Sequence, residues 1–346
     1  MTRLAAPSSA PRAIDLFSGA GGLTLGLKWA GFRVIGGIEL SALAAETYRV
    51  NHPDVVLWED DIRRVPVDAV RQRLKIDVGE LDLLAACPPC QGFSSIRTRR
   101  RGTRVDERND LIFEIVRFVD GLRPRAVMME NVPGLAADAR LAVLANRLRR
   151  RGYRVSWEVL DAADYGVPQR RRRLLLLATR HQRLRPVPSA GVRRTVGDAL
   201  RLMPAPGTSG DPLHDMTEHR SDHVLEIIRH IPRDGGSRSA LDSRLSLSCH
   251  LRARGFFDVY GRMAWSSVAP TITGGCVNPS KGRFLHPEQD RAITLREAAL
   301  LQSFPASYEF SLRRGKYAAA ELIGNALPPV FVREQAAVVY RYLMNV

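Results

Sequence analysis

Acidic residues are in deficit in this chain. Its 346 residues carry 36 Asp and Glu against 52 Lys and Arg, a formal net charge of +16. That balance disfavours an acidic, self-solvating protein and points to a polyanionic partner, because each phosphate met by a basic side chain releases counterions. Lysine is scarce too: only Lys28, Lys75, Lys281 and Lys316 occur, so the basic charge is nearly all arginine. GC-rich coding also enriches arginine, but coding bias alone need not leave base in excess of acid. Four cysteines (Cys87, Cys90, Cys249 and Cys276) are too few for a disulfide framework in a chain this long, and make a reducing cytoplasm the expected setting. No apolar run is long enough to span a bilayer. The opening MTRLAAPSSAPR lacks the apolar core of a secretion signal, so residues 1–11 read as a flexible tail.

What is present is an alternation. Hydrophobic content of 45% and charged content of 25% suit a globular protein with a sizeable core. Apolar strand-like runs at 13–17, 32–39, 81–86, 125–130 and 172–179 alternate with amphipathic stretches at 21–31, 41–52, 109–122 and 139–152. Buried strands alternating with helices imply an α/β fold with a doubly wound, mostly parallel sheet. After about residue 184 the chain becomes rich in Pro and Gly, as in MPAPGTSGDP and ITGGCVNPSKGR. We expect a catalytic domain from 12–184 plus 313–346, and a smaller loop- and strand-rich domain from 185–312. A helix at 294–302 closes the smaller domain, and helical 317–343 returns to the first.

Several motifs carry chemistry. DLFSGAGGLTLGL reads as strand, glycine-rich turn and helix. Gly19, Gly21 and Gly22 permit a tight turn and close backbone approach to a ligand, and the helix N-terminus offers N–H groups to an anion. The dinucleotide pattern is not met, since Thr24 stands where its third glycine belongs. Glu39 ends the next strand, placed to bind ribose hydroxyls, and Asp61 follows the expected third strand. A plain strand–turn–helix with surface acids fits as well. CPPCQGFS places Cys90 on a turn at a strand's carboxyl edge, where open α/β sheets bind ligands. Half a zinc site or a redox pair are the alternatives, and no second Cys/His pair stands at ligand spacing. Cys87 reads as a small buried residue. Glu130 and Asn131 end another strand. Gln169, Arg171 and Arg173 alternate, so they would share one strand face.

DLFSGAGG, PPCQGFS, ENVPG, QRRRR, ITLREAALLQSFP and IGNALPP, in that order, resemble the DNA (cytosine-5)-methyltransferase family over residues from about 12 to the C-terminus. The resemblance implies a class I, Rossmann-like, S-adenosylmethionine-dependent methyltransferase that leaves S-adenosylhomocysteine and needs no metal. It implies double-stranded DNA as substrate, admits a cognate restriction endonuclease as partner, and leads us to expect a monomer. Cys90 matches the nucleophile, Glu130 the acid that holds cytosine N3, and Arg171 and Arg173 residues around the flipped base. Phe17, Gly19, Gly21, Gly22, Glu39, Leu40, Asp61, Ile62 and Asn325 match the cofactor pocket. Many relatives carry an aromatic where Leu40 stands, so adenine packing there would be aliphatic. The segment after Cys90, with Ser94, Arg97 and Arg108, resembles a loop that closes over the base. Gln169 and Thr271 fall on the expected DNA face. Arg244, His250, Arg252, Arg254 and Arg262 could reach bases or phosphates there, or be simply solvated. Arg296 and Glu297 read as an internal pair. A transfer-RNA methylating branch of the family and a nucleotide-binding oxidoreductase are the competing functions.

Overall fold

The computed structural model describes residues 10–89, 107–189, 191, 193–216, 218–242, 244–245 and 258–345. The chain divides into two compact units: Met1–Tyr165 with Arg172–Ala190 and Leu327–Val346, and Gly166–Arg171 with Gly191–Ala326.

The first unit is built on one seven-stranded sheet of order β3-β2-β1-β4-β5-β7-β6. Its strands are β1 (Arg12–Leu16), β2 (Arg33–Glu39), β3 (Val56–Glu59), β4 (Leu83–Ala86), β5 (Ala126–Asn131), β6 (Arg154–Asp161) and β7 (Arg172–Thr179). β1 to β5 pair in parallel, and β7 runs antiparallel to both β5 and β6. Every residue of β4 and β5 is buried, the pattern of strands covered on both faces by helices. β6 is not anticipated in the sequence. It is an edge strand with exposed Arg154 and Glu158, so it lacks an apolar run.

The helices of this unit are α1 (Gly22–Trp29), α2 (Ala42–Asn51), α3 (Val67–Leu74), α4 (Glu114–Leu122) and α5 (Ala139–Arg150). Ser41 caps α2 by accepting from the Ala44 N–H. The segment Glu107–Phe113 is a 3-10 turn leading into α4, so only the second half of the expected helix at 109–122 is α-helical. α1 lies so close to the C-terminal helix that a Cβ on Gly26 would stand 2.3 Å from Val332 Cβ. No side chain fits there.

The second unit holds α6 (Asp222–His230), α7 (Leu295–Leu301) and α8 (Gly315–Asn325) among shorter helical turns. The expected single helical return at 317–343 is two helices. Pro328 and Pro329 break it, because proline suits the start of a helix and not its interior. α8 therefore stays in the second unit, and α9 (Pro329–Met344) alone joins the first. Among the described residues this unit has isolated bridges rather than strands, so its backbone carbonyls need other donors. Arg262 supplies them. Fully buried, it donates to the carbonyls of Ile228, Ile231, His286 and Gln289 and pairs with Asp290. Arg262 is therefore neither a base or phosphate contact nor a solvated arginine, the two readings its sequence left open.

Candidate active site at the strand ends

The turn after β1 is strained where a ligand would approach. Phe17, a non-glycine residue, has φ 60°, and Gly19 and Gly21 have φ 54° and 91°. Left-handed backbone at a bulky residue costs energy and persists only where its surroundings enforce it. Here Ser18 does so: its hydroxyl donates to the Asp15 carbonyl at 2.8 Å and accepts the Ile38 N–H at 3.1 Å. Phe17 packs partly buried against the core. Gly22 is the first residue of α1. Glu39, at the end of β2, accepts from the N–H groups of Gly19 (2.8 Å) and Ser41 (2.7 Å). Burial raises its carboxyl above the ordinary range. Leu40 beside it is 68% exposed, an apolar side chain left without cover. Asp61 caps the 3-10 turn Ile62–Arg64 and pairs with Arg63, which holds its carboxyl down at about 2. Ile62 is buried in the core.

One residue of this turn escapes the sequence reading. Asp15 stands fully buried inside β1, and Thr24 donates to its Oδ2 at 2.7 Å while sharing a 2.8 Å hydrogen bond with Tyr48. Thr24 thus has a use that the missing third glycine could not serve. Burial raises the Asp15 carboxyl to about 7; the Thr24 bond opposes the rise and the Glu39 charge adds to it. Its Oδ1 is buried with no hydrogen-bond partner among the described residues, a demand that a donor on a bound molecule can meet. The available signal is an acid inside the apolar run AIDLF.

On the other side of β1, the N–H of Cys87 donates to the Leu16 carbonyl at 3.1 Å. Asn131 Nδ2 donates to the Pro88 carbonyl at 3.1 Å, fixing the chain that leads towards Cys90. Arg173 Nε lies 2.7 Å from Glu130 Oε1, both side chains largely buried. A buried carboxyl and a buried guanidinium compensate each other's desolvation only when paired in this way. Cys90, Ser94, Arg97, Cys249, His250, Arg252 and Arg254 lie outside the described residues. Arg108 falls in the 3-10 turn before α4.

The second unit holds the remaining candidates. β7 begins at Arg172, so Arg171 is not on a strand face with Arg173. It is buried, and its terminal nitrogens donate to the Ile272 and Gly324 carbonyls, each at 2.9 Å. Gln169 donates to Gln302 Oε1 (2.9 Å) and accepts the Ile272 N–H (2.7 Å). Thr271 is exposed, with its hydroxyl on the Arg170 carbonyl at 2.7 Å. Asn325 ends α8, exposed. A groove of about 510 Å³ is lined by Arg170, Arg193, Arg283, Thr195, Ser266 and Ser267, with Asp258, which pairs with Arg283, also on its wall. Exposed Arg244 pairs with Asp242.

Arg296 and Glu297 are internal, as expected, but not with each other. Arg296 pairs with Asp211 and donates to the Tyr308 carbonyl, while Arg291 grips Glu297 through two 2.7 Å bonds. Successive residues on a helix point to different faces, so each finds its own partner. Burial works against the Glu297 charge, but Arg291 outweighs it and holds the carboxyl below its ordinary range. Among the described residues, no helix is long and apolar enough to cross a membrane, and no cluster of His, Cys, Asp and Glu could hold a metal ion.

The strand order, with its antiparallel β7 and glycine-rich turn after β1, defines a class I S-adenosylmethionine-dependent methyltransferase fold. The chain belongs to the C-5 cytosine-specific DNA methylase family, whose model matches residues 12–341, and is a DNA (cytosine-5)-methyltransferase. It is 35% identical over 345 residues to the Type II methylase M.HgiDII of Herpetosiphon aurantiacus, covering 95% of each chain. It is 33% identical over 340 residues to the Type II methyltransferase M1.HphI of Haemophilus parahaemolyticus, covering 96% of this chain and 87% of that one. A crystal structure described as a DNA modification methyltransferase encoded within a prophage of E. coli superposes with a TM-score of 0.72 at 26% identity, covering 97% of this chain and all of the other.

Proposed function

We propose that the chain methylates C5 of a cytosine flipped out of a specific duplex sequence, through a transient bond between Cys90 and C6. The observation that carries this reading is the Glu130–Arg173 pair at the ends of β5 and β7, beside the β4 end whose chain Asn131 leads towards Cys90. Cytosine C5 is a poor nucleophile. Addition of the Cys90 thiolate to C6 forms the S–C6 bond and pushes an electron pair to C5. Glu130 holds the hydrogen at N3 that stabilises the charge spreading through the ring, and Arg173 reaches O2. Once C5 has used that pair to take the methyl group, loss of the C5 proton re-forms the C5–C6 double bond and expels the sulfur. Flipping costs a few kcal/mol of stacking and pairing.

S-adenosylmethionine bound at the glycine-rich turn supplies an electrophilic methyl group and leaves as S-adenosylhomocysteine. The residues present suit it. Phe17 and exposed Leu40 offer apolar cover for adenine, Glu39 a carboxyl for ribose hydroxyls, and Asp61 an acceptor for the adenine amino group, with Ile62 beneath it. Gly19, Gly21 and Gly22 leave room for the backbone to approach, and Asp15 Oδ1 awaits a donor; Asn325 is assigned to the cofactor by the family resemblance alone. We assign target recognition to the second unit, with Thr271 and the arginine-lined groove towards DNA; Gln169, expected on the DNA face, is fully buried with its amide oxygen and nitrogen both used inside the protein, so it supports that face and does not touch the duplex. Ser94, Arg97, Arg108, Arg252 and Arg254 would serve the same duplex. Arg171 acts there by holding the Ile272 and Gly324 backbone rather than by touching the base. The relatives' Type II names support a cognate restriction endonuclease as partner. A monomer acting on DNA in the cytoplasm completes the reading.

Transfer of tritium from labelled S-adenosylmethionine tests it. Duplex DNA should accept label and transfer RNA should not, and bisulfite sequencing should place the change at cytosine within one sequence context. Label in transfer RNA alone would contradict the proposal.

A further inference from the structure

The reaction as written leaves one cysteine of CPPC without a task. We propose that Cys87 is a positioning residue for Glu130, its thiol holding the carboxyl that meets the target base. The parallel register of β4 and β5 pairs Ala86 with Met129, so the next residues, Cys87 just past the end of β4 and Glu130 still within β5, stand side by side. The thiol and the Glu130 carboxyl are near enough to interact, and Arg173 Nε engages Glu130 Oε1 at 2.7 Å. The Cys87 backbone is itself anchored, by its N–H on the Leu16 carbonyl. A carboxyl held by a single donor can still rotate about its last carbon–carbon bond. A second donor on another strand removes that freedom, which is how neighbouring groups orient a reacting one.

The thiol is suited to this use and unsuited to attack. Burial pushes it well above the ordinary thiol range, and the charges of Glu130 and Asp15 push it further against the opposing effect of Arg173. It therefore stays S–H, a donor, whereas a nucleophile must be thiolate. The two cysteines of the motif thus divide the work: Cys90 bonds to the base, and Cys87 steadies the acid.

This inference rests on the reading that Glu130 meets the base, so Glu130→Gln is measured alongside. The experiment is single-turnover methyl transfer to target duplex by the full chain at saturating cofactor, with separate affinities for S-adenosylhomocysteine and duplex. Cys87→Ala should slow transfer about three- to tenfold, the worth of one hydrogen bond realised in the transition state, with both affinities within about twofold of wild type. Cys87→Ser, which restores a donor, should recover most of the rate. A wild-type rate for Cys87→Ala, or Cys87→Ser as slow as Cys87→Ala, overturns the proposal. Should the alanine variant not fold, Cys87→Val fills the space without a donor, and equal rates for the valine and serine variants overturn it equally. If Glu130→Gln keeps the wild-type rate, the underlying reading of Glu130 fails. If Glu130→Gln is slow while Cys87→Ala is not, only the role of Cys87 fails.

Discussion

Gln169 and Gln302, 133 residues apart in sequence, share a buried hydrogen bond of 2.9 Å. Gln169 also accepts the Ile272 N–H, and Gln302 Nε2 donates onward to the Ile323 carbonyl at 2.6 Å. Two amides thereby tie QRRRR, the Thr271 segment, α7 and the end of α8 into one ladder. A buried amide works in such a ladder only while both its oxygen and its nitrogen are used.

Gln302→Leu removes the shared rung, leaving Gln169 Nε2 with only its longer bond to the Leu301 carbonyl and the Ile323 carbonyl with only the Ala326 N–H. We expect a loss of about 1–3 kcal/mol, the worth of the buried hydrogen bonds removed. Urea unfolding followed by tryptophan fluorescence measures it. A midpoint equal to that of wild type would contradict the ladder.

Arginine-to-neutral changes should separate two kinds of arginine in the second unit. Arg262→Met strips the donor from three buried carbonyls and one half-buried one and the partner from Asp290, and should cost about 3–5 kcal/mol of stability. Exposed Arg170 lines the groove. Arg170→Gln should leave stability alone but weaken duplex binding and flatten its dependence on log salt concentration by about one unit. Melting curves and salt-titrated binding test the pair, and a stable Arg262→Met or an unaltered salt slope for Arg170→Gln would count against this division.

Asp15 sets a pH test. Its ordinary pKa of 3.8 becomes about 7 in the folded chain. Between those values the folded chain keeps a proton that the unfolded chain has lost. The stability this gives is fully present below about pH 4 and is lost as pH rises through about 7. Asn carries no such proton, so Asp15→Asn should gain on wild type by about 2–4 kcal/mol between pH 5 and pH 8. Parallel unfolding free energies across that range would refute the assignment.

Much of the site can be read locally, and what cannot be read is tertiary. The strand–turn–helix around Gly19–Gly22, the Ser41 cap and the placement of Glu39 and Glu130 at strand ends follow from short-range pattern. β6 hides because an edge strand has no continuous apolar run, and α8 and α9 read as one helix until the two prolines are weighed. Glu130 and Arg173 can each be picked out, but their pairing depends on β7 running antiparallel beside β5, which no local pattern shows. The same holds for Arg296 and Glu297, which adjacency pairs wrongly, and for Arg262, whose burial follows from the scarcity of strands around it. Asp15 is visible only as an oddity, a single acid in an apolar strand.

Glu39→Ala tests the cofactor half of the reading. Its carboxyl holds the Gly19 and Ser41 N–H groups and forms no ion pair among the described residues. Titration calorimetry with S-adenosylhomocysteine should show affinity weaker by about tenfold or more, the worth of hydrogen bonds to a charged acceptor. Equal affinity would move the ribose site elsewhere.

The central claim is the bond between Cys90 and the base, and duplex DNA carrying 5-fluorocytosine at the target position tests it most directly. Fluorine cannot leave as a proton does, so in the presence of S-adenosylmethionine the wild-type chain should remain joined to DNA under denaturing conditions. Cys90→Ser should form no adduct and transfer no methyl group while still binding S-adenosylhomocysteine. An adduct formed by Cys90→Ser, or methylation by it at the wild-type rate, would contradict the account.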